Sequence, residues 1–479
     1  MQNKIAFILD NQIKEIDFNS PDTLSPTITV LNYLRKQPHH KGVKEGCAEG
    51  DCGACTVVVA ELDHENTIRY KTINSCLVFL PQIHGKWLIT VEDLGTSEKL
   101  HPVQEALVET DGSQCGYCTP GIVMSSFGIY KNHSTVNRAI IEDALAGNLC
   151  RCTGYQPIIE AIEKSCIKQG FDQFSEMETE MKSKLQQINT IETIEVKTDK
   201  QIYLKAFSLS EALKLRKENP DAIIITGSTD IALRQTKKKE LFTKILDLSQ
   251  VKELNCFKET ENEFVVGAAT TLEQLKINIC HKLDALHDML SVFGSLQIRN
   301  SASIGGNIGS ASPIGDTIPV LFAYRARLKL VSDESERILP IEEFITGYRQ
   351  TVLKNDELIA EVIIPKPISA TRIKSYKISK RHDLDISIVS GGFRVELEDN
   401  KVKDILLAFG GMAAYTMRAK QTESYLLGKE WNEENVTEAQ KLLYNEFKPI
   451  SDARSGEEYR KLAAKNLLLK FYLETANKD

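Results

Sequence analysis

Cysteine is the residue type in this sequence with the clearest capacity for chemistry. The chain has 479 residues and 11 cysteines, eight of which fall between Cys47 and Cys152. The other three are Cys166, Cys256 and Cys280. A secreted protein held together by disulfides would not concentrate its cysteines in this way. We therefore expect metal-binding thiols in the N-terminal third.

The first four cysteines have the spacing of a plant-type two-iron, two-sulfur site. They are Cys47, Cys52, Cys55 and Cys76, which follow the pattern C-x4-C-x2-C with one distant partner. Such a cluster takes three thiolates from one tight loop and a fourth from elsewhere. Gly46, Gly50 and Gly53 can supply the positive φ angles that turn backbone N–H groups toward the sulfurs. A zinc site and buried free thiols are the alternatives, but neither accounts for the interleaved glycines.

Two shorter cysteine motifs follow. Cys115 and Cys118 form a CxxC within QCGYCTPG, and Cys150 and Cys152 form a CxC within GNLCRCTGY. The CxxC alone could belong to a zinc site, a redox dithiol or a cluster. Cys118 directly precedes a predicted helix, whose N-terminal partial charge favours thiolate. Four thiolates meeting between helices favour a second two-iron cluster.

The elements that must position these cysteines differ between the two sets. Apolar, β-branched stretches at 5–9, 56–60 and 86–91 predict strands, and the spacing over 27–36 predicts a helix. We expect a small mixed sheet over residues 1–90. Residues 91–166 predict a compact bundle of four helices opening at His101, Thr119, Ser134 and Tyr155.

The remainder of the chain predicts two further domains. The charged segment 167–198 is predicted to be an exposed connector. Residues 199–370 alternate apolar strands with helical stretches, which predicts an α+β or α/β domain. Residues 371–479 form a strand-then-helix unit that ends in a helix over 459–473.

Composition excludes several classes of function. The 59 basic and 66 acidic residues give a formal charge of −7, which disfavours nucleic-acid binding and a polybasic membrane surface. No signal peptide and no apolar run of membrane-spanning length is evident. We expect a soluble, cytoplasmic protein.

The three cysteine motifs together resemble the signatures of the molybdenum hydroxylase family, which contains xanthine dehydrogenase, aldehyde oxidase and their relatives. The sequences GCAEGDCGACTV, QCGYCTPG and GNLCRCTGY occur in the family's order and spacing. The resemblance assigns the first four cysteines to one [2Fe–2S] cluster and the last four to a second, next to the molybdopterin. Gln114 matches a position that touches the pterin, whereas Gln156 departs from the family's usual arginine.

Two loops of small residues point to a nucleotide cofactor. The first follows an apolar strand and comprises Ile224, Ile225, Thr226, Gly227, Ser228, Thr229, Asp230 and Ile231. The second runs from Ser301 to Asp316 and carries no large side chain beyond three isoleucines, so a backbone can approach a ligand closely. Strand–helix turns of the first kind cradle phosphates, although many have no such role.

The paired loops resemble the two-loop FAD-binding domain of the vanillyl-alcohol oxidase (PCMH) type. By that resemblance the first loop would wrap the pyrophosphate, and Ser303 and Asn307 would bind the second phosphate side. Asp316 would contact the ribose or adenosine end, and Phe293 would shield the isoalloxazine. Phe293 could instead be a core residue, and Asp316 a helix cap.

The C-terminal part matches the same family at residues 379–386 and 409–413, while Ile388 replaces a lysine found near the flavin in some animal relatives. The resemblance thus implies a multidomain α+β protein. Its domains are a β-grasp ferredoxin domain (1–90), a helical [2Fe–2S] domain (91–166), an FAD-binding domain (199–370) and a CO-dehydrogenase-flavoprotein-like domain (371–479).

The implied function is the electron-transfer subunit of a xanthine dehydrogenase-type enzyme. Electrons would pass from a molybdopterin-binding partner subunit through both clusters to FAD and on to NAD+, with no catalytic acid or base from this chain. The resemblance also implies a dimer of heterodimers. The alternatives are a subunit for aldehyde or N-heterocycle oxidation, a stand-alone flavin–iron–sulfur reductase, and a zinc-binding scaffold.

Overall fold

The computed structural model describes residues 3–19, 24–167, 170–189 and 192–476. Two compact units divide the chain between them. The first contains Met1–Val251 and Ser295–Ala302, and the second contains Lys252–Gly294 and Ser303–Asp479.

The first unit begins with a five-stranded mixed sheet and a helix packed on it. These elements are β1 (Lys4–Leu9), β2 (Gln12–Asp17), α1 (Val30–Lys36), β3 (Thr56–Leu62), β4 (Ile68–Asn74) and β5 (Trp87–Ile89). The strand order is β2-β1-β5-β3-β4, with β1 parallel to β5, which is the predicted small mixed sheet. Helix α1 begins later than predicted because the Thr29 side chain accepts a hydrogen bond from Asn32 N and caps it.

Four helices follow the sheet, as predicted. They are α2 (Pro102–Glu109), α3 (Thr119–Asn132), α4 (Arg138–Leu145) and α5 (Gln156–Ile167). His101 caps α2 in front of a proline, and the N-cap of α3 is Cys118 rather than the following threonine. Asn137 caps α4, so this helix begins after the predicted Ser134.

The segment predicted as an exposed connector contains two more helices, α6 (Gln173–Glu176) and α7 (Glu178–Ile188). Phe174, Met181 and Leu185 are buried in the core shared with the sheet and the helices. The prediction of exposure does not hold for these side chains, because charged residues cover only the outer face of α7. Positions 168, 169, 190 and 191 of the segment lie outside the described residues.

A second, four-stranded sheet completes the first unit. Its elements are β6 (Ile194–Lys197), β7 (Ile202–Lys205), α8 (Leu209–Glu218), β8 (Ile223–Ile225), α9 (Ile231–Thr236) and β9 (Lys244–Asp247). The strand order is β6-β7-β9-β8, and β7, β9 and β8 run parallel. The parallel arrangement places the turn after β8 at a strand carboxyl end, where α/β proteins bind ligands.

The described part of the second unit contains three sheets, of five, two and four strands, together with helices. The elements up to residue 365 are β10 (Phe257–Glu259), β11 (Glu263–Gly267), α10 (Leu272–Asn278), α11 (Asp284–Ser291), α13 (Ile304–Gly309), α14 (Thr317–Ala323), β12 (Arg327–Val331), β13 (Glu336–Pro340), β14 (Ile345–Gly347), β15 (Gln350–Thr351) and β16 (Leu358–Pro365); α12 (Leu296–Arg299) belongs to the first unit. The antiparallel sheet has the order β10-β11-β16-β12-β13.

The C-terminal part is a four-stranded antiparallel sheet covered by helices. Its elements are β17 (Thr371–Ile378), β18 (Val389–Glu398), β19 (Lys401–Gly410), β20 (Met417–Arg418), α15 (Lys420–Leu426), α16 (Glu433–Glu446) and α17 (Glu457–Thr475). Phe393, Phe409 and Phe471 form its aromatic centre.

Short 3₁₀ helices occur at Leu80–Ile83, Val91–Asp93, Lys252–Leu254 and Ile341–Glu343. No described helix has the length and hydropathy needed to cross a membrane.

Candidate cluster and flavin sites

The loop between α1 and β3 gathers the first cysteine set. Backbone N–H groups of Glu49 and Asp51 donate to Cys47 Sγ at 3.4 and 3.3 Å, as the sequence predicted for this loop. Gly50 and Gly53 have φ of +77° and +71°. Gly46 is needed for space instead, because a Cβ there would lie 2.7 Å from Cys52 Sγ.

The thiols of this set are arranged in pairs. Cys52 donates a hydrogen bond that lowers the pKa of Cys47 to about 5 against the opposing effect of burial. Cys76 donates to Cys55 in the same way and lowers the pKa of the buried Cys55 thiol. One thiol of each pair is therefore stabilised as a thiolate. A two-iron cluster takes two thiolates on each iron, and this donor set fits it.

The second set lies at the ends of three helices. Cys115 and Cys118 precede α3, and Cys150 and Cys152 lie between α4 and α5. Cys115 shares a hydrogen bond with Cys152, and Cys118 with Cys150, so these thiols are also paired. The Tyr117 backbone N–H is the main factor that lowers the pKa of Cys115, whereas burial raises the pKa of Cys118 to about 12.

The two sets differ in exposure. Cys55 and Cys76 are buried, whereas Cys115 and Cys152 are exposed. In the described part of the chain, no three histidine, cysteine or acidic side chains form a group that could hold a metal ion. The thiols are gathered two by two instead.

The two cysteine loops touch through their backbones. The Leu149 N–H donates to the carbonyl oxygen of Cys52 at 3.0 Å. A Cβ on Gly53 would lie 2.3 Å from Gly147 O, and a Cβ on Gly121 would lie 2.1 Å from Gly53 O. We call Gly53, Gly121 and Gly147 the glycine junction. Any side chain there would push the loops apart.

The first predicted flavin loop begins where β8 ends and continues into α9. Ser228 is buried with a positive φ of 54°, and its Oγ lies 2.6 Å from the Leu77 carbonyl oxygen and 2.8 Å from Gln82 Oε1. Gln82 Nε2 also donates to Thr226 O at 2.7 Å. Because Leu77 directly follows Cys76, this loop contacts the backbone next to a cysteine of the first set. The sequence did not predict Gln82 as a contact of this loop, because no motif surrounds it.

The second predicted flavin loop lies in the second unit. Ser303 Oγ accepts from Gly306 N and caps α13, and Asn307 Oδ1 accepts from Thr317 Oγ1 at 2.6 Å. Asp316 is buried beside Lys377, with 3.2 Å between its Oδ2 and Lys377 Nζ. Asp316 Oδ1 has no hydrogen-bond partner, and the side chain makes no capping bond to α14. A buried carboxylate oxygen without a donor fits a ligand hydroxyl.

Lys377 is a second site residue, after Gln82, that the sequence did not reveal. Its ammonium group also donates to Val292 O at 2.9 Å, next to Phe293, which is half-buried. It lies two residues before the 379–386 motif, but nothing in the sequence of strand β17 distinguishes it from an ordinary surface lysine. Ile388, which replaces a lysine of some relatives, is buried in the C-terminal core.

Family comparisons divide the chain into four consecutive matches. Residues 14–80 match a 2Fe-2S iron–sulfur cluster binding domain, and 90–163 match a [2Fe-2S] binding domain. Residues 194–367 match the FAD binding domain in molybdopterin dehydrogenase, and 374–475 match the CO dehydrogenase flavoprotein C-terminal domain. The predicted fold class and cofactors are thereby confirmed.

Similar curated proteins include xanthine dehydrogenase/oxidase of Gallus gallus and xanthine dehydrogenase 1 of Arabidopsis thaliana. Both are 32% identical to this chain; the alignments cover 95% of this chain and, respectively, 39% and 38% of those proteins. The chain therefore spans about two fifths of the length of these relatives.

Two solved structures share the fold. Carbon monoxide dehydrogenase from Hydrogenophaga pseudoflava is 23% identical with a TM-score of 0.54, over 56% of this chain and 94% of that chain. Quinoline 2-oxidoreductase from Pseudomonas putida 86 is 22% identical with a TM-score of 0.53, over 57% and 96%.

The domains and their thiol sets define an iron–sulfur flavoprotein with two [2Fe–2S] clusters and FAD as cofactors. This domain set fits the small iron–sulfur and FAD subunit of molybdenum hydroxylases, whose function is electron transfer. The chain is homologous to the N-terminal part of xanthine dehydrogenase.

Proposed function

We propose that this chain is the electron-transfer subunit of a xanthine dehydrogenase-type enzyme. It accepts electrons from a molybdopterin-binding partner that oxidises hypoxanthine and xanthine to urate, and delivers them to NAD+. The names of the similar curated proteins support this substrate class. A dimer of heterodimers is part of the proposal.

Electrons enter at the second cysteine set in this scheme. Its four thiolates would hold one cluster, and Cys115 and Cys152 are the exposed members. An exposed ligand lets a partner's redox group approach closely, whereas Cys55 and Cys76 are sheltered. The first set, Cys47, Cys52, Cys55 and Cys76, would hold the inner cluster.

The flavin is the exit in this scheme. FAD accepts single electrons from clusters and releases a pair, which suits hydride delivery to NAD+. Residues 224–231 would bind its pyrophosphate through backbone N–H groups. In the second unit, Ser303 and Asn307 would face the second phosphate side, and Phe293 would cover the ring. Asp316 would accept a hydroxyl hydrogen bond, held in place by Lys377.

One observation carries the order of the relay. Within the first unit, a chain of direct contacts connects the outer cysteine set to the flavin loop. Leu149 N donates to Cys52 O at 3.0 Å, and Leu77 O lies 2.6 Å from Ser228 Oγ. The first set therefore lies between the exposed set and the flavin loop along the bonded path.

Cofactor analysis of the native complex with substrate-dependent NAD+ reduction tests this proposal. We expect four irons and one FAD per chain, a co-purifying molybdopterin subunit and xanthine-dependent NADH formation. If the complex oxidises an aldehyde, quinoline or carbon monoxide but not xanthine, the proposed substrate class is wrong and the oxidised compound indicates the correct class. A complete protein with no molybdopterin partner would favour the stand-alone reductase.

A matched pair of cysteine variants tests the relay. Cys115→Ser should lose one cluster and uncouple substrate oxidation from NAD+ reduction, because the entry point is gone. Cys280→Ser, which belongs to neither set, should change neither quantity. Unchanged NAD+ reduction in Cys115→Ser would show that electrons do not enter through this cluster.

A further inference from the structure

A buried amide network lies at the contact between the two cysteine loops. Asn148, Ser125 and Gln297 are each at most 2% exposed. Asn148 Oδ1 accepts from Ser125 Oγ at 2.7 Å and from Gln297 Nε2 at 2.8 Å. Gln297 Nε2 also lies 3.0 Å from Ser125 Oγ, which closes a triangle.

This triangle determines which way the Asn148 amide faces. Both of the donors it receives occupy the carbonyl oxygen, so the NH2 group must point to the other side. There it donates to Gly53 O and to Thr56 Oγ1, each at 3.3 Å. Asn148 thus holds the loop of the first cysteine set from within the loop of the second.

The network lies beside a short bonded path between the two sets. Leu149 follows Asn148 and donates its N–H to Cys52 O, and Cys150 is the next residue along the chain. The path from Cys52 to Cys150 therefore consists of covalent bonds and one hydrogen bond. The glycine junction excludes any side chain from this contact.

Gln297 is supplied from a distant part of the chain. It lies on α12, in the segment Ser295–Ala302 of the first unit. Two further contacts anchor this segment: Arg299 donates to Asp143 at 2.8 and 2.9 Å, and Asn300 donates to Thr72 O at 2.9 Å. Contacts outside the cysteine motifs therefore help to fix the position of Gln297, and through it the orientation of the Asn148 amide.

We propose that Asn148 is a positioning residue for electron transfer between the two clusters, and that Gln297 orients its amide. The proposal rests on the proposed function. In the step it serves, one electron leaves the cluster held by the second cysteine set, which is oxidised, and reduces the cluster held by the first. No proton or other group is transferred.

The test uses the full chain carrying both clusters and FAD, with the variants Asn148→Ala and Gln297→Ala. Asn132→Ala is the matched control: its side-chain amide likewise donates to a backbone carbonyl oxygen, that of Tyr70 at 2.8 Å, but away from the cysteines. Three quantities are measured. They are the iron and sulfide content, the splitting of the electron paramagnetic resonance signals that the two reduced clusters cause in each other (the magnetic splitting), and the freeze-quench rate of electron exchange between the clusters.

Asn148→Ala should keep four irons, lose most of the splitting and slow the exchange about tenfold or more, the usual cost of losing an outer partner of a metal site. Gln297→Ala should change splitting and rate in the same direction by less, and Asn132→Ala should leave both unchanged. A purely structural role would lower cluster content without altering the splitting of molecules that retain both clusters.

Unchanged splitting and a rate within twofold of the unmodified protein in Asn148→Ala would overturn the proposal. If that variant does not assemble its clusters, Gln297→Ala decides, and an unchanged rate there overturns it equally. The splitting requires neither a partner nor a substrate. Failure of xanthine-dependent NAD+ reduction with normal splitting would therefore count against the proposed function alone.

Discussion

The two cysteine sets each offer four thiols for one cluster, but the surroundings of the two sets differ. Each consists of four thiols in two hydrogen-bonded pairs. The first is wrapped by a loop on a sheet and has two buried members, whereas the second lies at helix ends and has two exposed members. Burial and backbone hydrogen bonds tune the potential of an iron–sulfur site. The difference therefore suits an inner and an outer member of one relay.

Glycines at positive φ show the same contrast. Gly53 has its backbone pressed against Gly147, whereas a Cβ on Gly116 or Gly154 would meet nothing within 4 Å. The inner loop needs glycine for conformation and for space. In the second set, Gly116 and Gly154 are needed for conformation alone, whereas Gly121 and Gly147 are needed for space.

The largest predicted effect comes from removing a cysteine of each set. Cys55→Ser should abolish the inner cluster and also destabilise the first unit, because metal binding is coupled to folding in a buried core. Cys115→Ser should abolish only the outer cluster. Iron analysis and thermal unfolding of both variants check this. Equal losses of stability in the two variants would show that the burial of Cys55 and the exposure of Cys115 make no difference to folding.

The second prediction compares two glycines with nearly equal φ. Gly53→Ala combines left-handed strain with a contact of 2.3 Å to Gly147 O, and should cost more than about 3 kcal/mol. Gly116→Ala carries strain alone and should cost about 1 kcal/mol. Unfolding free energies from denaturant titration provide the measurement. A Gly53→Ala cost no larger than that of Gly116→Ala would mean the junction has room to move.

The third prediction concerns acid sensitivity of the sheet that carries the inner set. Burial, with a smaller effect of the Lys205 charge, lowers the pKa of His84 to about 4 from 6.5. Between pH 6.5 and 4, His84 is therefore protonated in the unfolded chain but neutral in the folded chain. The free energy of unfolding falls as the pH drops through this range. About 1–3 kcal/mol should be lost across that window.

Fluorescence of Trp87 in a Trp431→Phe background reports unfolding of this sheet. His84→Gln should remove the pH dependence, and His64→Gln, at an exposed position, should retain it. A pH dependence that persists in His84→Gln would assign the acid sensitivity to other groups.

The smallest predicted effect is at a surface link between the two loops. Lys44 Nζ donates to Gly116 O at 3.0 Å and lies 5.2 Å from the centre of the Tyr117 ring. Lys44→Met should cost less than about 1 kcal/mol, because exposed contacts of this kind are weak. Magnetic splitting between the clusters should be unchanged. A splitting lost on Lys44→Met would place the important link at the surface rather than at Asn148.

Local patterns in the sequence predicted much of the fold. The start of α2 after His101 and the strands β1, β3 and β5 follow from a capping residue and from β-branched or apolar runs, which act over a few neighbours, whereas strands β2, β4 and β6 were not predicted. Helix α7 was missed because its charged residues outnumber its apolar ones. The buried side chains of Met181 and Leu185 become visible only when the sheet covers them.

What the sequence determined by itself is the chemistry: eight cysteines in three spaced motifs, and two loops of small residues. Ligand type and spacing are local properties, so they can be read without a fold. The tertiary structure decided which thiols pair, which are exposed, and that Lys377 faces Asp316 and Gln297 faces Asn148. Those contacts join residues 61 and 149 positions apart, and only the packing of whole elements brings such residues together.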